Sequence, residues 1–217
     1  MDQAWLNALG CALLALIGGI LGQRQLQAGR HRRPEDVAPT HPMGWIAPAA
    51  TLLGALAGWN LARWPWPVPV TVTVAGSVLI VLAAIDLDVH RLPRAITWPA
   101  YPALALLLML CSWATSDPAA LRRAAYAGVA AWAVHYLLHR IARRRGLGRG
   151  DVTLAGLLGM LLGWFGWPVV LVATYLTFIL AGLWAGGLVL LRRADRSTRL
   201  AFGPFMAVGA LVLLLAQ

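Results

Sequence analysis

The sequence predicts an all-α fold, a polytopic membrane bundle of about eight transmembrane helices. Of the 217 residues, 60% are hydrophobic and only 12% are charged, and the mean hydropathy is +0.70. Soluble domains carry about 25% charged residues, so a chain this apolar needs lipid around it. A transmembrane helix needs about 20 mostly apolar residues, and eight segments of roughly that kind follow one another along the chain.

The predicted spans alternate with polar loops, and most tryptophans lie near their ends, where amphipathic rings favour the membrane interface. The eight spans are Trp5–Leu21, Gly44–Ala62, Val68–Ile85, Trp98–Thr115, Ala124–His139, Val152–Phe165, Trp167–Leu191 and Leu200–Ala216. The sixth is short, so it must thin the bilayer locally or end inside the protein. We divide the chain into an N-terminal membrane region of two helices and a basic loop, 1–67, and a six-helix core, 68–217.

The net charge of +10 comes from 18 arginines, and their placement predicts the orientation in the membrane. Fifteen lie in the loops after the first, third, fifth and seventh spans: Arg24, Arg30, Arg32, Arg33, Arg91, Arg94, Arg140, Arg143, Arg144, Arg145, Arg149, Arg192, Arg193, Arg196 and Arg199. Positively charged loops stay in the cytoplasm, so both termini are predicted to lie outside. Because the charge is explained by topology, no nucleic-acid partner is predicted.

The sequence favours neither a metal site nor a disulfide framework. Cys11 and Cys111 both lie inside apolar runs, and no CxxC pair occurs. Two or three carboxylates without other ligands are a thin set even for a hard cation. We therefore expect no metal.

Three acidic residues lie at the cytoplasmic ends of predicted spans, where ionisable groups are costly and indicate function. Asp86 and Asp88 follow the apolar run 78–85 at the end of the third span, and Asp151 opens the sixth. The remaining acids lie in predicted loops or at the terminus and are expected to be solvated: Asp2, Glu35, Asp36, Asp117 and Asp195.

Each of the two sites also has a purely structural interpretation. Asp86 could pair with Arg91 or Arg94 at the membrane surface, although a carboxylate is unfavourable near the negative end of a helix dipole. Asp151 could be the N-cap of the sixth helix, with the preceding glycines allowing a tight turn. Capping and catalysis are compatible, so both interpretations of Asp151 stay open.

Together, the two aspartates fit peptide hydrolysis. Two carboxylates that share a site cannot both ionise comfortably, so they titrate as a pair. The ionised member can act as a general base on water, while the protonated member polarises the scissile carbonyl and later protonates the leaving amine. Glycines 148 and 150 would let a substrate backbone approach closely.

Three motifs follow one another in the C-terminal two thirds of the chain. Asp86 is followed six and seven residues later by Leu92 and Pro93, Gly148–Asp151 reads GxGD, and Phe202–Pro204 reads Phe-Gly-Pro at the last span. In this order and on this side of the membrane, they resemble the type IV prepilin peptidase family, bacterial relatives of the GxGD intramembrane aspartic proteases. The resemblance covers roughly residues 68–217.

The resemblance implies a multi-pass protein of the bacterial inner membrane that cleaves the short basic leader of type IV prepilins or pseudopilins, in pilus assembly or type II secretion, at the cytoplasmic face. It makes Asp86 and Asp151 the catalytic pair, whereas Asp88 matches a common but non-catalytic position. The remaining motif residues would support the site or the substrate loop: Gly148, Gly150, Pro93, Phe202, Gly203 and Pro204.

The chain departs from the family pattern in two places. Thr153 stands where members often have lysine two residues after the GxGD aspartate. Longer members carry a cysteine-rich segment after the first span and methylate the new N-terminus with S-adenosylmethionine, but residues 23–43 contain no cysteine. This is therefore a short form, for which we expect no cofactor.

Two other function classes remain as alternatives. A transporter or channel could use the paired acids as a proton or cation site, since broken helices and paired acids also serve transport, but it predicts related halves and no clear repeat is visible. A non-catalytic assembly protein of a pilus or secretion machine predicts that losing either aspartate leaves function intact.

Overall fold

The computed structural model describes residues 2–29, 31–33, 36, 42–141, 148–191 and 201–217, and these residues form eight α-helices and no strand. The helices are α1 (Asp2–Gln27), α2 (Ile46–Asn60), α3 (Pro67–Val89), α4 (Arg94–Ala114), α5 (Pro118–Ile141), α6 (Arg149–Phe165), α7 (Trp167–Leu190) and α8 (Gly203–Leu215). The all-helical prediction is confirmed, with one helix at each predicted span. The predicted positions Arg30, Glu35, Arg143–Arg145, Arg192–Arg199 and Leu200 lie outside the described residues.

Helices α1, α3, α4 and α7 are long and apolar enough to cross a membrane. In their most apolar stretches, α1, α4 and α7 bury only 22–28% of their residues, and large apolar side chains such as Leu6 and Leu183 are exposed. Exposed apolar surface of this extent on helices of spanning length faces lipid. The chain is a multi-pass membrane protein; its orientation stays a prediction.

Helix α3 lies at the centre of the bundle. It buries 67% of its most apolar stretch and packs against α1 and α2 as well as against α4 and α8. It also runs past its predicted end at Ile85 to Val89, so that Asp86 and Asp88 both lie within its last turns. The division of the chain near residue 67 stays a prediction.

Close backbone contact joins α1 to α2. A Cβ atom on Gly54 would lie 2.4 Å from the carbonyl oxygen of Cys11, and one on Gly58 would lie 2.4 Å from that of Asn7. Because these positions are glycines, the two helix backbones can come into contact, and van der Waals packing between them then stabilises the pair inside the membrane. The same device joins α5 to α6, where a Cβ on Gly159 would lie 2.6 Å from the carbonyl oxygen of Ala127.

We expect Gly54→Val to destabilise the α1–α2 pair by about 3 kcal/mol, because the added atoms collide with backbone that cannot move aside cheaply. Gly10→Val is the matched control, since a Cβ on Gly10 meets nothing within 4 Å. Thermal unfolding in detergent measures the difference. Equal midpoints for the two variants would contradict the close packing.

Helix α6 is held at the end opposite its aspartate. The guanidinium of Arg123 donates to the carbonyl oxygens of Gly163 at 3.0 Å and Trp164 at 2.5 Å, and so satisfies acceptors that the helix C-terminus leaves open. The indole of Trp164 donates to Ser112 at 2.8 Å. These contacts oppose sliding of α6 along its own axis, and they therefore help to hold its first turn, which carries Asp151, in position.

Candidate active site

Asp86 is buried near the C-terminal end of α3, with 5% of its surface exposed. Its Oδ2 accepts a hydrogen bond of 2.9 Å from the backbone N–H of Gly203, the first residue of α8. The N-terminus of one helix thus supplies a donor and a favourable dipole to a carboxylate that lies at the unfavourable end of another. The alternative pairing with Arg91 or Arg94 is wrong: the Arg91 guanidinium binds Asp36, and among the described residues Asp86 forms no ion pair with either arginine.

Gly203 must lack a side chain for this contact to form. A Cβ at that position would lie 2.8 Å from Oδ2 of Asp86 and 3.2 Å from its Cγ. Pro204 follows at the second position of α8, where its missing N–H costs nothing. The Phe202 ring, just before the helix, packs against Phe178 with ring centroids 5.4 Å apart. The Phe-Gly-Pro motif therefore forms the start of α8 that binds the Asp86 carboxylate.

Asp151 is also buried, with 8% of its surface exposed. Its Oδ2 accepts a hydrogen bond of 2.8 Å from the backbone N–H of Gly148. The interpretation of Asp151 as the N-cap is wrong: Gly148 holds that position, and Asp151 is the third residue of α6, reaching back to it. A carboxylate in the first turn is favoured by the helix dipole there.

Gly150 brings the GxGD turn against the first motif. A Cβ on Gly150 would lie 2.9 Å from the Cβ of Leu92. Pro93, next to Leu92, is the N-cap of α4, and its carbonyl oxygen accepts from the backbone N–H groups of Ile96 and Thr97. The two motifs, 58 residues apart in numbering from Leu92 to Gly150, thus meet at one end of the bundle.

Asp151 lies close enough to Asp86 for the charge of Asp86 to act on it. Their helices nevertheless keep apart, since α3 and α6 have no pair of Cα atoms within 8 Å, while α4 and α8 each contact both. The two carboxylates are therefore neighbours although the helices that carry them do not pack directly against each other.

Asp88 does not join this pair. Residues two apart on a helix point to different sides, and Asp88, 3% exposed, points to the segment after α1. Arg32 and His31 of that segment bind its carboxylate.

Asp36, expected to be solvated, is half-buried and paired as well. The backbone N–H of Arg33 and the Arg91 guanidinium hold the pKa of Asp36 below its ordinary value.

The histidines lie around the site without completing a metal centre. His135 is buried, with Nδ1 2.9 Å from the Ala131 carbonyl oxygen, and it lines a small cavity between α5, α6, α7 and α8. His139 is buried on the same helix, one turn nearer Asp151. In the part of the chain that the structure describes, no three His, Cys, Asp or Glu side chains are grouped as metal ligands.

His90 ends α3 in the left-handed conformation, with φ 50° and ψ 38°, and its backbone N–H donates to the Asp86 carbonyl oxygen. We expect His90→Gly to be at least as stable as the wild type, because glycine adopts this conformation freely. His90→Val should lower stability by about 1–2 kcal/mol. Unfolding midpoints in detergent measure both effects; equal midpoints for the two variants would contradict the left-handed conformation of this residue.

Comparison with known proteins assigns the part of the chain that carries both aspartates to a family. Residues 72–190, which include both aspartates and more than half of the chain, match the type IV leader peptidase family. The chain belongs to that family. The Phe-Gly-Pro motif lies outside the matched range, so its place in the site rests on the contact between Gly203 and Asp86.

Curated relatives share this part of the chain. The prepilin leader peptidase/N-methyltransferase of Aeromonas hydrophila is 32% identical over 139 residues, which make up 64% of this chain and 46% of that protein. Proteins of the same name from Pseudomonas putida and Stutzerimonas stutzeri are 30% and 28% identical over 137 residues, covering 63% of this chain and 46% of each. The chain spans about half the length of these relatives. No solved structure gave a significant match.

Proposed function

We propose that this member of the type IV leader peptidase family is an aspartic endopeptidase that removes the short basic leader of type IV prepilins or pseudopilins. The observation that carries the proposal is the pair of buried aspartates at one end of the bundle, each anchored by a backbone N–H at a helix N-terminus. Their charges interact although their helices stand apart. Such a pair matches the chemistry of peptide hydrolysis.

The anchoring leaves each carboxylate one oxygen for chemistry. Both backbone hydrogen bonds go to Oδ2, and among the described residues no donor is recorded for Oδ1 of Asp86 or Asp151. The ionised carboxylate takes a proton from water as the water oxygen attacks the scissile carbonyl carbon. The protonated carboxylate donates a hydrogen bond to the carbonyl oxygen, and a proton passes to the leaving amine as the C–N bond breaks. The two aspartates act as one titrating unit, with either able to hold the shared proton.

In this proposal the substrate strand enters between the two carboxylates, whose helices have no Cα atoms within 8 Å of each other. Gly148 is exposed and Gly150 half-buried, and neither carries a side chain that would keep a peptide backbone away. The fifteen arginines of the odd-numbered loops favour the cytoplasmic side for this end of the bundle, and the membrane we propose is the bacterial inner membrane. That is the face at which a leader would be removed in pilus assembly or type II secretion.

The proposed reaction needs water and no cofactor. The relatives named above are called N-methyltransferases as well as peptidases, but residues 23–43 of this chain contain no cysteine. We therefore propose leader cleavage without methylation of the new N-terminus by S-adenosylmethionine. The partners are the prepilin or pseudopilin substrate and the lipid bilayer.

Co-expression with a type IV prepilin, in bacteria that lack their own leader peptidase, tests the proposal. We expect the membrane fraction to contain shortened pilin when the protein is present and only precursor with the empty vector. Mass spectrometry of the pilin identifies the new N-terminus and any added methyl group. If every prepilin and pseudopilin offered stays uncut while the protein is in the membrane, an assembly or transport function becomes the better explanation.

A further inference from the structure

A segment after α1 is bound to the end of α3 that carries Asp86. Arg32 donates to both oxygens of the Asp88 carboxylate, from Nε to Oδ2 at 2.9 Å and from a terminal nitrogen to Oδ1 at 2.6 Å. Nε2 of His31 lies 2.7 Å from the same Oδ2. The Asp88 side chain is fully enclosed, with none of its surface exposed. Bidentate pairing of this kind fixes geometry as well as charge.

A second ion pair lies just beyond the end of α3. Asp36 accepts from the guanidinium of Arg91, the residue after His90, and from the backbone N–H of Arg33 at 2.8 Å. We call His31, Arg32 and Asp36 the loop clamp. Because Asp88 precedes His90 and Arg91 follows it, the loop clamp holds the chain on both sides of the left-handed residue that ends the helix.

The chain reaches α3 by a turn at the end of α1. Gly29 has φ +68°, its N–H donates to the Leu26 carbonyl oxygen at 2.9 Å, and its own carbonyl oxygen accepts from the Arg32 N–H at 3.0 Å. Glycine is the residue that enters this conformation without cost. The turn sends the chain back to α3 immediately after α1 ends, and it delivers His31 and Arg32 to Asp88.

The last turn of α3 needs such support. It carries two buried aspartates, Asp86 and Asp88, at the end of a helix whose dipole disfavours negative charge. Terminal turns also open most readily, because their last carbonyls lack partners within the helix. Arg32 supplies the opposite charge at Asp88, and a rigid last turn keeps the Asp86 carboxylate against the N–H of Gly203.

We propose that Asp88, Arg32 and His31 are positioning residues that hold the catalytic turn of α3, an inference that rests on the proposed function of Asp86. None of the three takes part in proton transfer. They act through the backbone of the last turn, which they share with Asp86. The segment between α1 and α2 is then a working part of the peptidase rather than a passive connection.

The steady-state kinetics of a set of variants test the proposal. Arg32→Gln leaves the Asp88 carboxylate buried without its main partner, so kcat should fall on the order of 10- to 100-fold through misplacement of Asp86, with KM unchanged. Arg32→Lys keeps the charge but loses the bidentate geometry, and it should recover part of the rate. The double variant Arg32→Gln with Asp88→Asn removes both charges and should cleave faster than Arg32→Gln alone.

Asp117→Asn is the matched control, because it removes an aspartate that caps α5 far from this segment, and it should leave kcat unchanged. Hydrogen–deuterium exchange of the backbone amides of residues 84–90 gives a readout independent of cleavage. Exchange should accelerate in Arg32→Gln and not in Asp117→Asn.

The two readouts separate the possible failures. If the wild type cleaves no prepilin, the proposed function fails, yet faster exchange in Arg32→Gln would still support the loop clamp as the support of this turn. If the wild type cleaves and Arg32→Gln retains its kcat, or loses kcat with unchanged exchange, the positioning role is wrong. Equal rates for Arg32→Gln and the double variant would also overturn it, because the loss of Arg32 from the buried Asp88 carboxylate would then be irrelevant.

Discussion

Asp86→Asn and Asp151→Asn are each expected to lower prepilin cleavage by at least about a thousandfold. Asparagine keeps the size of the side chain and an oxygen that can accept the N–H of Gly203 or Gly148, so the local fold should survive. It cannot serve as general base or acid, and the pair loses the proton that it shares. Cleavage of a co-expressed prepilin, with the amount of each variant in the membrane measured in parallel, gives the result.

Asp117→Asn again serves as the control for removing a carboxylate, and it should cleave at the wild-type rate. Cleavage at the wild-type rate by Asp86→Asn or Asp151→Asn would mean that the residue in question is structural. In that case Asp88 would be the next candidate for the acid–base role, and the loop clamp would need a different interpretation.

Gly203→Ala is expected to reduce kcat by about 100-fold, although it adds only one methyl group. Its Cβ would lie 2.8 Å from Oδ2 of Asp86, so the carboxylate must move away from the N–H that anchors it. Small displacements of a reacting group cost rate of this order. Since the change leaves both aspartates in place, it tests whether their position, and not only their presence, is needed.

The matched control is Gly182→Ala in α7, where an added Cβ meets nothing within 4 Å. This variant should cleave normally and be as stable as the wild type or slightly more so, because alanine favours a helix. A Gly203→Ala protein that cleaves at the wild-type rate would show that Asp86 does not depend on its contact with α8.

The helices were predictable because lipid imposes a simple pattern. A span needs a long apolar run, and polar loops interrupt those runs, so each helix could be placed from the sequence. The same pattern put Asp86 and Asp151 at one end of the bundle, since two crossings, the fourth and fifth helices, separate the end of the third helix from the start of the sixth. Helix α3 nevertheless runs to Val89 rather than stopping at Ile85.

The contacts of the site depend on partners far away in sequence, which hydropathy cannot identify. Asp86 is held by Gly203, 117 positions later, and Asp88 by Arg32, 56 positions earlier. These distant partners are what allow two acids to be buried in the last turn of α3. Because these partners could not be foreseen, the prediction ended the helix where the apolar run ends, at Ile85, rather than at Val89.

Local turn geometry was the other source of error. The preference of aspartate for N-cap positions suggested Asp151 as the cap. Instead Gly148 is the N-cap, and the Asp151 side chain, one turn later, reaches back to accept the Gly148 N–H. The loop clamp had a weak signal in the sequence, a His-Arg-Arg run following Gly29. Counting those arginines only as a topology signal concealed their role as partners.

Cleavage by the purified protein in proteoliposomes, with a single prepilin as substrate, tests the central claim most directly. Wild-type protein should give two products whose masses sum to that of the precursor plus one water, cut at the end of the basic leader. The Asp86→Asn and Asp151→Asn proteins, purified in the same way, should leave the precursor intact. An uncut precursor with the folded wild type, or equal cleavage by all three proteins, would contradict the assignment of Asp86 and Asp151 as a catalytic pair.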